Sequence, residues 1–272
     1  MMMRNKLSPQ QSTHWLLLSA ILILSACSVT PSRNEPAIAR STPPKKIDVQ
    51  TIPDAVPKVE PRSSRGNPPS YVVFGKRYTT LPTSRCYVER GIASWYGPDF
   101  HGKDTSSGEP YDMYGMTAAH KSLPLPCYVQ VTNLRNGRHV VVRVNDRGPF
   151  HDTRIIDLSY TAAAKLDLLG AGTGLVEVRA LEPGEAPVVT RTALGSDPNM
   201  YIQVGAFQNR INAEQMKARL QNIPAPVKVH TSAQAKSAPY RVRIGPLAKV
   251  DDVDQLSAKI KSMGIETYVV VE

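Results

Sequence analysis

The chain has 272 residues, a formal net charge of +10, 23 prolines and 3 cysteines. That length holds more than one domain, and three cysteines are too few for a disulfide-rich scaffold. The net charge suggests an acidic partner. The basic residues are scattered with no long block, and for an exported chain an anionic wall polymer or membrane surface fits better than nucleic acid, with solubility alone as the alternative.

The N-terminus reads as an export signal over residues 1–26. Arg4 and Lys6 make a positive start, an apolar stretch runs from Trp15 to Ala26, and Leu24-Ser25-Ala26-Cys27 supplies small residues at a processing site. The apolar run is well short of the roughly 20 residues needed to span a bilayer. Leu-Ser-Ala-Cys resembles a bacterial lipobox, in which Cys27 is lipidated on sulfur and becomes the first mature residue. The competing reading is an ordinary cleavable signal that happens to contain a cysteine. Several acyl chains on one residue hold a protein firmly where one chain does not. With Ser28 rather than an aspartate after the cysteine, the lipoprotein sorting rule implies the outer membrane, facing the periplasm. Cys86 and Cys127 then remain in an oxidising compartment, where a disulfide between them is expected. In the chain-entropy model it is worth about 4 kcal/mol. The alternative is two buried thiols.

Residues 27–70 are rich in Pro, Ser and Lys with no apolar period, and predict a disordered tether. It would span about 37 Å as a coil and about 140 Å as extended polyproline. Residues 71–182 predict one mostly β domain with strands at Gly91–Tyr96, Tyr128–Asn133, Arg138–Val144, Arg154–Asp157 and Val176–Ala180. Asn136-Gly137 between two alternating runs is a strong hairpin signal. One helix follows Ser159, carries Ala162, Ala163 and Ala164, and closes before Gly170. The pattern predicts a small β-barrel.

After a linker at 183–197, residues 198–272 form a different unit with an internal repeat. Tyr201–Phe207 and Tyr240–Leu247 are strands, Asn209–Gln221 and Asp251–Met263 have helical spacing, and Val227–His230 and Ile265–Val271 are strands again. Two βαβ halves predict a four-stranded ferredoxin-like sheet with two helices on one face. Alternation turns Ile202, Val204, Val242 and Ile244 to the helices and Gln203, Arg241 and Arg243 outward, where they suit a glycan.

The chemistry concentrates at Asn145-Asp146-Arg147-Gly148-Pro149-Phe150, with Glu109, Asp112 and His120 upstream. Polar side chains gathered at strand ends and turns are how a small β-domain builds a cleft for a sugar or peptide. Asp112 also suits a local Asx turn, His120 a hydrogen-bonded core position, and Asp146 a buried brace with Arg147. Trp95 and Tyr96 divide between core and cleft. His101 and His120 fit no compact ligand spacing, so no metal and no cofactor is predicted.

Gly91-Ile-Ala-Ser-Trp-Tyr-Gly97, Phe100-His-Gly102, Ser107-Gly-Glu109, Tyr111-Asp-Met113, Thr117-Ala-Ala-His-Lys121 and Asn145-Asp-Arg-Gly-Pro-Phe150 together resemble the rare lipoprotein A family of septal-ring lytic transglycosylases. The last 75 or so residues resemble a SPOR domain. The resemblance implies a six-stranded double-psi β-barrel followed by a domain that binds peptidoglycan glycans stripped of their stem peptides. It also implies a lyase that cuts the MurNAc–GlcNAc β-1,4 bond without adding water, leaving 1,6-anhydro ends at the division septum. Asp146 and Glu109 match the acids tied to cleavage, and Asp112 and His120 match positions lining the same site. One carboxyl can serve as both acid and base. Asp146 is expected to do so with a proton favoured by burial or a neighbouring anion, while Arg147 turns away, toward Asp157. Division-machinery proteins are further partners that the resemblance allows. A non-catalytic wall-binding lipoprotein is the alternative.

Overall fold

The computed structural model describes residues 48–188, 198–232 and 237–272. The export signal, Cys27 and most of the linker lie outside the described residues.

A hairpin of β1 (Ser70–Val73) and β2 (Lys76–Thr79) precedes the barrel. The barrel strands are β3 (Val88–Trp95), β4 (Thr117–His120), β5 (Cys127–Asn133), β6 (His139–Asp146), β7 (Arg154–Leu158) and β8 (Gly174–Leu181). They close in the order β3-β7-β4-β6-β5-β8. The β3/β7 and β4/β6 pairs are parallel and the others antiparallel. The alternating residues Val140, Val142 and Val144 of β6, Val129 and Val131 of β5, Ile156 and Leu158 of β7, and Val176 and Val178 of β8 fill the interior. Gly137 turns the β5–β6 hairpin at φ 72°, as the Asn-Gly pair predicts. Helix α1 (Tyr160–Lys165) begins where Ser159 Oγ accepts the Ala162 N–H at 3.2 Å, and seats Ala162 and Ala163 on the core.

The predicted tether is shorter than its composition implies, because residues 48–69 lie along the barrel. Asp54 accepts the Val141 N–H at 2.9 Å and pairs with Lys165 at 2.6 Å. Glu60 pairs with Arg143 at 2.8 Å, and Asn67 exchanges two hydrogen bonds with the Leu125 backbone. At Gly66 (φ 76°) a Cβ would meet the Ser106 carbonyl at 2.8 Å, so the strap lies hard against that loop. Single polar anchors of this kind leave no apolar period in the sequence.

The expected disulfide is not formed. Cys127 points into the barrel core, while Cys86 sits exposed on a turn at φ 59°, and both are free thiols. Burial pushes the Cys127 thiol up to about 12, which keeps it unreactive.

The terminal unit comprises β9 (Met200–Phe207), α2 (Arg210–Arg219), β10 (Val227–Thr231), β11 (Tyr240–Leu247), α3 (Val250–Ser262) and β12 (Tyr268–Val271). Its sheet order is β10-β11-β9-β12, antiparallel throughout. Ile202, Val204, Val242 and Ile244 pack against Ala213 and Leu220 of α2 and Val253, Leu256 and Ile260 of α3, so both helices cover one face, as the repeat predicts. The barrel residues Ile92, Leu134 and Leu175 join this core. Asp254 of α3 ties to Arg154 at 2.8 Å and to the Thr153 hydroxyl at 2.5 Å.

Candidate active site

Asp146 ends β6, where the strand stops pairing and its carboxylate meets the 104–110 loop. Oδ1 accepts three donors: the Ser106 N–H at 2.7 Å, the Ser106 hydroxyl at 2.6 Å and the Arg147 N–H at 2.7 Å. Oδ2 faces the Tyr96 hydroxyl at 3.3 Å. Every one of these contacts is donated to the carboxylate. Tyr96 in turn packs on Tyr111 and Phe100, with ring centroids 4.9 and 5.9 Å apart, and Phe100 is half exposed. Tyr96 thus links Asp146 to the half-exposed Phe100. Trp95 packs edge-on to Tyr160 and against the core.

Glu109 rides on the same loop as Ser106. Arg143 holds it with two hydrogen bonds of 2.7 and 3.0 Å, and Asn145 Nδ2 adds a third at 3.0 Å. The Arg143 hydrogen bonds keep the Glu109 carboxyl below the ordinary range. Glu60 of the strap takes the other edge of the same guanidinium, so the three charges sum to one negative. Geometry of this kind suits an electrostatic group, not a proton donor.

The other predicted residues lie elsewhere. Asp112 is 61% exposed and accepts the Tyr114 N–H at 2.9 Å, which is the Asx turn. His120 is 2% exposed. Its Nδ1 accepts from the Ser122 and Leu123 N–H groups at 3.1 and 3.0 Å, which leaves Nε2 to donate to Tyr87 Oη at 2.8 Å. Arg147 turns away from Asp146 as expected but not toward Asp157. Its guanidinium enters the interior and donates to the carbonyls of Gly66, His120 and Leu123 and to Asn67 Oδ1. Asp157 instead accepts from Ser94 Oγ at 2.5 Å. Ser106, Arg143 and Glu60 were not singled out from the sequence. Arg143 carried a signal, being a charge inside an otherwise apolar strand.

Burial lowers His120 to about 3, from an ordinary 6.5. Between these values the unfolded chain carries a proton that the folded chain refuses, so stability falls as pH drops below 6.5. The expected loss is about 1.4 kcal/mol per pH unit. Urea midpoints from pH 7 to pH 4 should therefore fall more steeply for the native chain than for His120→Asn, whose Oδ1 can keep the two backbone donors. Parallel slopes would remove His120 from the account.

In the terminal unit, Gln203 and Arg243 are cross-strand neighbours, as are Arg241 and His230, on the face away from the helices. Arg243 is largely buried, donating to Glu272 at 2.5 Å and to Gln203 at 3.4 Å. Arg241 has the freer head group.

Residues 88–178 match a family model described as lytic transglycolase, and residues 196–271 match the SPOR domain model. A protein named endolytic peptidoglycan transglycosylase RlpA from Pseudomonas aeruginosa is 39% identical, covering 82% of each chain. The protein of that name from Vibrio cholerae is 40% identical, over 93% of this chain and 94% of its own. The chain belongs to the rare lipoprotein A (RlpA) family. A third RlpA, from Neisseria meningitidis, is 39% identical over 77% of this chain and 86% of its own. The family assignment agrees with the closed six-stranded barrel and the SPOR unit that follows it.

Proposed function

We propose that the protein is a peptidoglycan lytic transglycosylase that cleaves MurNAc–GlcNAc β-1,4 bonds, on peptide-stripped strands by preference, and leaves 1,6-anhydroMurNAc ends. The observation that carries this reading is Asp146: a carboxylate at a strand end with Oδ1 saturated by donors and Oδ2 met by one long hydrogen bond from Tyr96, beside the half-exposed Phe100. In the reaction the muramic 6-hydroxyl attacks its own anomeric carbon, and Asp146 Oδ2 takes the hydroxyl proton. A group that only accepts is fitted to the basic half of the cycle, which narrows the double role expected from sequence. The net negative charge of Glu60, Arg143 and Glu109 favours the cationic character that develops at the anomeric centre. Phe100, half exposed, offers an apolar face to a sugar ring, with Tyr96 packed behind it and Tyr111 buried beneath.

The SPOR face bearing Gln203 and Arg241, with Arg243 braced behind them, would hold denuded glycan and draw the enzyme to the septum. Lipidation at Cys27 would fix it to the outer membrane in the periplasm. Residues 71–182 would carry catalysis and residues 198–272 targeting.

The test is incubation of the soluble protein with amidase-treated sacculi, followed by mass spectrometry. Anhydro ends are expected. Reducing ends would make it a hydrolase, and binding without any new ends would make it a wall-binding lipoprotein.

A further inference from the structure

Removal of a proton from the 6-hydroxyl is half the reaction. The departing sugar oxygen needs a proton too, and Asp146 is surrounded by donors. Asp157 lies on the other side of the same floor. In the barrel, Ala119 of β4 pairs with Asp146 of β6 on one side and with Asp157 of β7 on the other. The two carboxyls thus flank one small residue at the same level. Among the described residues Ser94 is the one hydrogen-bond partner of Asp157, at Oδ1. Its Oδ2 lies under Gly148, where an added Cβ would stand 3.7 Å from both that oxygen and the Ala119 Cβ. With φ at 141° that position favours glycine, and no side chain of residue 148 stands over Oδ2.

Resting on the transglycosylase reading, we propose that Asp157 is the proton donor to the leaving glycosidic oxygen, paired with Asp146 as the acceptor. As the C1–O4 bond breaks, the Asp157 carboxyl gives its proton to O4. O6 bonds to C1, and the O6 proton passes to Asp146. Return of that proton from Asp146 to Asp157 through water closes the cycle with no net change in the enzyme.

The surroundings agree. Burial raises the Asp157 carboxyl above the ordinary range, against the Ser94 hydrogen bond and the charges of Arg154 and Lys121, and the Asp146 charge adds to the rise. Tyr96 and Tyr111 also face this pair and are held neutral, chiefly by burial.

The test compares two substrates: amidase-treated glycan strands, and a 4-nitrophenyl glycoside of a GlcNAc–MurNAc disaccharide, whose leaving group needs no proton. Asp157→Asn should slow anhydro release from strands by at least about a hundredfold while leaving the aryl glycoside within about threefold. Asp146→Asn should slow both. A second measurement uses the native chain alone: the alkaline limb of kcat/KM seen with strands should vanish with the aryl glycoside. Equal slowing of both substrates by Asp157→Asn in a protein that melts normally, no slowing of either, or an alkaline limb common to both substrates would overturn the assignment. A native chain that yields no anhydro ends from either substrate would instead overturn the transglycosylase reading.

Discussion

Asp146→Asn is expected to reduce release of 1,6-anhydro ends by about 10² to 10⁴, the usual contribution of a positioned acid or base. The change is nearly isosteric, and the environment dictates how the amide sits. Three donors converge on Oδ1, so the amide oxygen must take that place and the NH2 group falls where Oδ2 faced the Tyr96 hydroxyl. An NH2 group there cannot accept a proton. The thermal midpoint should stay close to that of the native protein, because the three donors keep their acceptor. Counting anhydro ends by mass spectrometry, with a melt on the same sample, checks both halves. Anhydro release within threefold of the native rate would end the role given to Asp146.

Arg147→Met is expected to destabilise the barrel strongly. Arg147 is 8% exposed, and its guanidinium serves the carbonyls of Gly66, His120 and Leu123 together with Asn67 Oδ1. Methionine fills much of the volume and supplies none of the donors. Each acceptor left buried and unsatisfied costs about 1–3 kcal/mol, so a total loss of at least about 3 kcal/mol follows. For a domain of this size that lowers the midpoint by about 6 °C or more. Gly66 and Asn67 belong to the strap, so limited proteolysis should also cut residues 48–69 first in this variant. A melt within 2 °C of the native chain would show that water replaces the guanidinium without penalty.

The repeat of the terminal unit was legible because its two helices and four strands each carry a local period, and the structure returns all six within a few residues. The β5–β6 hairpin and the Ser159 cap were legible for the same reason: one turn pair and one hydroxyl decide them. β4 was visible only as a motif. Thr117-Ala-Ala-His120 has little strand propensity, and it is held by parallel pairing to β6, a contact that no local pattern announces. Asp112 and His120 fell where the simpler physical alternatives had placed them, in an Asx turn and in the core. Asp157 was seen only as a partner for Arg147. Its own position, an acid at the end of an apolar strand directly opposite Asp146 across one alanine, depends on how the barrel closes.

The strap has a consequence for range. The chain is fastened to the barrel from Ile52 onward, 25 residues beyond Cys27, a separation that cannot exceed roughly 90 Å at about 3.5 Å per residue. An enzyme held at Cys27 would therefore work only the layer of wall nearest its own leaflet, and glycan farther out would have to be brought to it by growth or constriction of the envelope.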